Sequence, residues 1–327
     1  MVAFSTLANR AAAEPDAAFV RYDPAEVMGD QACAKCHDHE IQQWKGTPHY
    51  ETFDTLHRRP EAKEIAKRLG LRSVKRNDTC VQCHYTRQLV DERVRIVAGV
   101  SCESCHGAAK AWITLHSDYG SPNATKESET PEHRQQRVEQ SLAAGMNNPV
   151  NLYLLARQCL ACHTAPDEKL VNIGGHKAGS TEFELVSWSQ GMVRHNFLAS
   201  GGQLNQPSSP ERLRVMYVVG VMADLEASLR ATALATEKQT FGITAAQRAA
   251  RLKKRLYEIG QLVDNQHLHQ ALDIVMAVQL KLNNSAALSG AADEVGWAAN
   301  ALAQSESGES LAPIDSLLPS PQQYKVR

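Results

Sequence analysis

The chain has few aromatic side chains, almost no net charge and no long apolar run. Aromatic residues make up only 6% of its 327 residues, although apolar residues make up 43% and charged residues 22%, the profile of a globular protein. A formal net charge of −1 excludes the basic field that is typical of nucleic-acid-binding proteins. The apolar run Val215–Val221 is far shorter than the roughly 20 residues of a membrane-spanning helix, so no transmembrane segment is expected.

No cysteine falls outside one repeated pattern. The eight cysteines form four segments of the type C-x-x-C-H: Cys33-Ala-Lys-Cys36-His37, Cys80-Val-Gln-Cys83-His84, Cys102-Glu-Ser-Cys105-His106 and Cys159-Leu-Ala-Cys162-His163. This spacing is the attachment signature of c-type haem, because two thiols one helical turn apart add to the two vinyl groups of one porphyrin. The histidine that follows is then placed beneath the iron as its proximal ligand. The sequence therefore predicts four covalently attached haem c groups.

Three other uses of paired cysteines explain this pattern less well. Zinc sites built from C-x-x-C pairs do not require a histidine after every pair. A thioredoxin-like redox pair occurs once, next to a βαβ pattern, and a disulfide framework has no reason to repeat one spacing four times. Covalent haem attachment takes place outside the bacterial inner membrane, so we expect an exported, periplasmic protein, although residues 1–14 show no signal-peptide hydrophobic region.

The four motifs occupy a short part of the chain. They lie between Cys33 and His163, a stretch of 131 residues, or roughly 33 residues for each haem. That is too few to enclose each cofactor separately, so the haems are expected to share walls within a scaffold of short helices and loops. We therefore predict a mainly α, multihaem cytochrome c fold, with a tetrahaem domain over residues 1–205 and a C-terminal helical bundle over residues 206–327.

The predicted bundle consists of three helices. Apolar residues recur with a helical period over Glu211–Glu237, and a second, long helix is predicted over Ala245–Asn283. A third is predicted from Ser285 or Ala291 to Gln304, followed by a loose tail that is rich in proline and serine. No segment shows the period of two that is typical of strands. Because the bundle holds no cysteine, haem attachment is expected not to depend on it.

Two segments around the motifs resemble the cytochrome c-554 family of tetrahaem electron carriers. Cys33–Leu56, which reads CAKCHDHEIQQWKGTPHYETFDTL, is similar to that family's first haem segment, with a tryptophan, here Trp44, ahead of a ligand histidine, here His49. Gly99–Gly107, which reads GVSCESCHG, is similar to its third haem segment. The resemblance covers roughly residues 30–200 and leaves the C-terminal bundle largely outside.

The resemblance implies distal iron ligands on three of the haems. It pairs three further histidines with motif histidines: His49 with His106, His116 with His37, and His195 with His163. Ligation by two histidines gives a low-potential iron that exchanges electrons with little rearrangement. In that family the haem that corresponds to the one on His84 is five-coordinate.

His176 departs from the family's pattern. It follows Asn172-Ile-Gly-Gly, and the two glycines would let the backbone approach a porphyrin closely. His176 can therefore close the haem on His84, displace His195 on the haem of His163, or remain a surface loop residue. We favour ligation of the haem on His84, which would give all four haems two histidine ligands.

These features predict a protein that relays electrons through four closely packed haems and meets redox partner proteins. The alternative is an oxidoreductase that acts on a small nitrogen or sulfur compound through an open iron at His84. The lysine that replaces the motif histidine in multihaem nitrite reductases is absent from all four motifs. The C-terminal helices are expected to serve as a dimerisation or docking module.

Overall fold

The structure is a computed structural model that describes residues 22–326, and this part of the chain is mainly helical, as predicted. The helices before residue 206 are short: α1 (Asp30–Cys33), α2 (Asp38–Lys45), α3 (Pro48–Thr55), α4 (Pro60–Arg68), α5 (Asp78–His84), α6 (Cys102–His106), α7 (Pro131–Ala143), α8 (Leu152–His163), α9 (Glu168–Asn172) and α10 (Leu185–Ser189). Four more follow: α11 (Pro210–Leu234), α12 (Thr240–Gly260), α13 (Gln266–Ala277) and α14 (Ser285–Ser305). The N-terminal segment in which we expected no signal peptide lies outside the described residues.

Three of the four cysteine motifs lie at the C-terminal ends of helices. Helices α5, α6 and α8 each end on the histidine of their motif. Each also begins at a polar capping residue, namely Asn77, Ser101 and Asn151. These caps fix where each short helix starts, and so fix where its two thiols and its histidine point.

A β-hairpin interrupts the helices, contrary to the prediction that no strand is present. Strands β1 (Thr86–Val90) and β2 (Arg93–Ala98) pair antiparallel across the two residues Asp91 and Glu92. Both turn residues have positive φ, 47° and 60°, as a two-residue type I′ hairpin turn requires. The alternation in Arg93-Val94-Arg95-Ile96 is the period-two signal, but its arginines disguise a strand that is largely exposed.

The C-terminal bundle is built around helix α11, which packs against α8, α12 and α14. Side chains are buried on every side of its middle turns, from Val215 to Leu225, as expected of a central helix. The predicted first and third helices match α11 and α14 closely. The predicted second helix is instead two helices, because α12 ends at Gly260 and the Asn265 side chain caps a new start at α13.

The C-terminal residues, which were predicted to form a loose tail, are packed. Leu311 and Ile314 are fully buried against the bundle. Further on, the backbone N–H of Lys325 donates to the carbonyl of Ser187, and the N–H of Met192 donates to the carbonyl of Lys325. The tail is therefore held against helix α10 and the segment that follows it.

The division at residue 205 remains a prediction, and the packing bears on it. Leu152, Ala156 and Leu160 of helix α8 lie in the same buried cluster as the apolar side chains of α11 and α14. The helix that carries the fourth motif is thus also a helix of the bundle. Between residues 22 and 326, no helix is both long and apolar enough to cross a membrane.

Candidate metal centres

Each motif histidine faces a second histidine from a distant part of the chain. The four pairs, with the distances between their ring centres, are His37 and His116 at 6.3 Å, His84 and His176 at 6.3 Å, His106 and His195 at 6.0 Å, and His163 and His49 at 6.2 Å. We call these the first, second, third and fourth sites, in the order of their motifs. All eight histidines that the sequence analysis named thus fall into facing pairs.

The ring separations suit two imidazoles on opposite sides of one iron. An iron–nitrogen bond of about 2 Å, with the ring centre about 1.1 Å behind the nitrogen, places two such centres about 6.2 Å apart. The observed separations of 6.0 to 6.3 Å lie within 0.2 Å of that value at every site. The residues present therefore fit a haem iron at all four sites.

Hydrogen bonds orient most of these rings. In five of the eight, Nδ1 lies within 3.3 Å of an oxygen: Asn147 for His106, Ile113 for His116, Ser180 for His163, Lys177 for His176 and Val193 for His195. When Nδ1 carries the proton and donates to such an oxygen, Nε2 keeps its lone pair. Because the other ring nitrogen then serves as the iron ligand, these contacts fix the tautomer that a metal requires.

Burial keeps three motif histidines neutral. The pKa of His84, of His106 and of His163 is lowered to about 4, in each case chiefly by burial and then by the facing or neighbouring histidine. Burial likewise lowers the pKa of His49 and His116. A neutral imidazole is the form that coordinates a metal, so these rings need no deprotonation before binding.

None of the eight motif cysteines takes part in a disulfide. Burial raises the pKa of Cys105 to about 11, and it also raises the pKa of Cys80 and Cys159. Thiols that are protonated and unpaired can each form a thioether with a vinyl group. Each motif therefore keeps two thiols that covalent haem attachment could use.

Two of the expected histidine pairings are exchanged in the structure. His116 faces His37 and His176 faces His84, as the sequence analysis favoured. The resemblance paired His49 with His106 and His195 with His163, but His49 faces His163 and His195 faces His106. The set of histidines is unchanged, and only the partners of these two differ.

Aromatic side chains explain the exchange. The segment before His195 was expected to place that histidine over His163. Instead, Phe183 stacks on the His163 ring at 5.1 Å and Trp188 meets it edge-on at 5.1 Å. Helix α10 therefore supports the back of the fourth site, and the chain leaves it towards the third site before His195 is reached.

The two glycines before His176 are needed by the loop's geometry. A Cβ on Gly174 would lie 2.5 Å from the carbonyl oxygen of Leu170, and Gly175 has a φ of +77°. The His176 N–H then donates to the Leu170 carbonyl and closes the loop at the end of helix α9. This tight turn directs the imidazole towards His84.

The first and third sites are joined by a buried carboxylate. Glu103, inside the third motif and only 2% exposed, accepts backbone N–H groups from Met28, Gly29 and Ala109 at 2.8 to 2.9 Å. This fixes the start of helix α1, which carries the first cysteine of the first motif. The thiols of that cysteine, Cys33, and of Cys102 are within hydrogen-bonding reach of each other.

Other side chains join the fourth site to the second and third sites. The Thr52 hydroxyl lies 2.7 Å from the His49 carbonyl and 3.1 Å from the His84 carbonyl, so it links the fourth and second sites. The Gln158 amide of helix α8 donates to the Ser104 carbonyl at 2.7 Å, which links the fourth and third. The thiols of Cys83 and Cys162 also come within hydrogen-bonding reach.

Two arginine–carboxylate pairs hold ligand histidines by their backbone, and the sequence analysis missed both. Arg137, paired with the 1%-exposed carboxylate of Glu129, donates to the His116 carbonyl at 2.8 Å. Arg248, paired through two hydrogen bonds with Asp224, donates to the His163 carbonyl at 3.1 Å. No motif marks these pairs in a single sequence, because each is defined only by the fold.

Two buried hydrogen-bond donors beside the sites also suit a bound haem. The Nε1 of Trp112 and the Nε of Arg194 are buried without a hydrogen-bond partner among residues 22–326. The Trp112 ring meets His116 edge-on at 5.2 Å, and Arg194 directly precedes His195 in the chain. Buried donors of this kind are suited to the carboxylates of a haem.

Comparison with known proteins gives a partial match. Residues 32–107 match the family model described as cytochrome c554 and c-prime. A cytochrome c-554 from Nitrosomonas europaea is 29% identical over 118 residues, which is 33% of this chain and 49% of the relative. The chain thus spans about half the length of that curated relative. No solved structure matches the chain.

Proposed function

We propose that the chain is a tetrahaem electron-transfer protein of the cytochrome c-554 and c-prime type, because residues 32–107, with the first three motifs, match the model of that family. The family implies covalently bound haem c. Our proposal adds that all four motifs are used and that every iron has two histidine ligands.

One observation carries the proposal, namely that every motif histidine faces a second imidazole at 6.0 to 6.3 Å. The distal histidines His49, His116, His176 and His195 would occupy the iron positions that a substrate would need. Four covalently attached haems supply, when bound, iron centres that change oxidation state one electron at a time. The chain's own contribution is to hold each pair of rings in place, so that little has to move.

The contacts between motifs support a fixed order of sites. Glu103 joins the first site to the third, Gln158 joins the third to the fourth, and Thr52 joins the fourth to the second. The sites would therefore follow one another as first, third, fourth and second. The first and second sites lie at the two ends of this order, where partner proteins would be met.

The second site also bears on the choice between the two functions predicted from the sequence. An oxidoreductase acting on a small nitrogen or sulfur compound would need an open position opposite His84. The His176 ring stands there at 6.3 Å, and its Nδ1 is held by the Lys177 carbonyl at 2.7 Å. This geometry favours electron transfer over catalysis.

Location and partners follow from the cofactor. We propose that the protein is exported to the periplasm, where covalent haem attachment takes place, and that it exchanges electrons with separate donor and acceptor proteins. The division into residues 1–205 and 206–327, and a docking or dimerisation role for the C-terminal helices, remain predictions.

Haem content and spin state test the proposal together. A pyridine haemochrome assay should give four haems per chain, and electron paramagnetic resonance of the oxidised protein should show only low-spin ferric signals. A count of two or three would mean that a motif is unused. A high-spin signal equivalent to one iron would instead revive the catalytic alternative.

A further inference from the structure

Charge is distributed very unevenly around the two end sites. Residues 57–76, which follow the distal helix of the fourth site, contain eight basic and two acidic residues, a net charge of +6. Residues 23–40, which contain the first motif, have five acidic residues and one basic, a net charge of −4. The net charge of the whole chain is −1, so these two segments differ sharply from the average.

Most of the basic residues face solvent without a partner. We define the basic patch as the six that are exposed and make no ion pair within residues 22–326: Arg58, Arg59, Lys63, Lys67, Arg72 and Arg76. Three of them are spaced four residues apart and so form one row: Arg59, which directly precedes helix α4, and Lys63 and Lys67 within it. The adjacent face of that helix, with Ala62, Ala66 and the following Leu69, turns inwards.

The patch lies beside the second site. Ala62 and Ala66 of helix α4 pack in one buried cluster with Val81, which lies in the helix that ends at His84. The guanidinium of Arg68, also in helix α4, lies against Gly175, the residue before His176. Helix α4 therefore runs alongside His84 and His176, the two histidines of the second site, which is the last in the proposed order of sites.

We infer that the basic patch is the docking surface for an acidic redox protein that exchanges electrons at the His84–His176 site. This rests on the proposed electron-transfer function and adds to it the chemistry of one partner. A row of unpaired cations next to a terminal site steers an acidic protein towards that site and holds it there. Residues 57–76 expose no large apolar side chain that could anchor in a bilayer, so the patch suits a protein better than a membrane surface.

Binding of an acidic flavodoxin, used as the probe, tests the inference. Titration calorimetry at low ionic strength with the haem-loaded protein should give a Kd that rises about tenfold in the triple variant Arg59→Gln, Lys63→Gln, Lys67→Gln. The matched control is Lys238→Gln, Arg251→Gln, Lys254→Gln, which removes the same charge from exposed positions of the bundle. The control should bind like the wild type, and only the patch variant should lose most of its salt dependence.

The outcomes separate this inference from the proposed function. Equal Kd values for the two triple variants, or no binding of flavodoxin to the wild type, would overturn the docking surface while leaving haem content and spin state as found. Binding to phosphatidylglycerol vesicles that depends on the patch, without binding to flavodoxin, would overturn it in favour of a membrane. If haem content and spin state fail instead, the proposed function fails, whatever the flavodoxin result.

Discussion

The haem-motif region, by which we mean the described residues before 206, and the C-terminal bundle are each stabilised by different interactions. Of the twelve largest fully buried side chains of residues 22–326, eleven lie between residues 222 and 314, and Leu160 alone lies before residue 206. The haem-motif region instead relies on buried polar ties such as Glu103 and on facing pairs of histidines. A bundle with a dense apolar core can fold by itself, whereas the other region would need its cofactors as core material.

The contrast predicts its largest effect in protein made without haem. We expect limited proteolysis of this apoprotein to remove the chain up to about residue 150 and to leave a resistant fragment containing helices α8 and α11–α14. The haem-loaded protein, as the control, should resist throughout. Mass spectrometry of the fragments identifies the boundary, and equal resistance of the two forms would show that the haem-motif region has a sufficient core of its own.

The buried ion pair of Arg248 and Asp224 lies in the bundle, and Arg248 reaches the haem-motif region through its hydrogen bond to the His163 carbonyl. Arg248→Gln should lower the free energy of unfolding by about 3–5 kcal/mol, because it leaves a buried carboxylate unpaired. It should also lower the reduction potential of one haem, since Arg248 places a positive charge near His163. Arg248→Lys keeps that charge and should leave the potential close to that of the wild type. Redox titration and chemical denaturation measure the two effects, and an unchanged potential in Arg248→Gln would remove its role at the fourth site.

A cavity-creating substitution in helix α8 tests whether the core of the bundle extends into the haem-motif region. Leu160→Ala should destabilise the protein by about 2–5 kcal/mol, the usual cost of truncating a buried leucine. Because Leu160 and Leu225 share one buried cluster, Leu225→Ala should lower the same unfolding transition by a similar amount. Leu204→Ala, at an exposed position, is the control. A Leu160→Ala protein whose bundle unfolds like the wild type would support a clean division at residue 205.

The smallest expected effect on stability is the removal of one distal ligand. His49→Ala should retain four haems and make one iron high-spin, because its partner His163 then lacks a facing ring. The same substitution in a Cys159→Ser, Cys162→Ser background, which lacks the fourth haem, should produce no high-spin signal. A signal that persists there would place His49 opposite His106 after all.

The motifs made the proposed haem-attachment cysteines and the four motif histidines predictable, because their spacing is dictated by the porphyrin itself. The helices α11 and α14 were also predictable from their apolar periodicity. The partners of His49 and His195 were not, since a distal ligand is brought to its iron by packing that no local pattern records. The fit of Phe183 and Trp188 on His163 decides that exchange, and it appears only in three dimensions.

Local chemistry explains the other differences from prediction. The β1–β2 hairpin was missed because alternating arginines gave its strands a polar character. The helix break was missed because Asn265 acts as a cap within a run of good helix formers. The packed tail was missed because its prolines and serines suggest a loop, although Leu311 and Ile314 anchor it.

A crystal structure of the haem-loaded protein tests the central claim most directly, because it shows which nitrogen binds each iron. The account predicts four six-coordinate irons, with His49 opposite His163, His195 opposite His106, His116 opposite His37 and His176 opposite His84. An iron on His84 with no second imidazole, and His176 away from every iron, would contradict it.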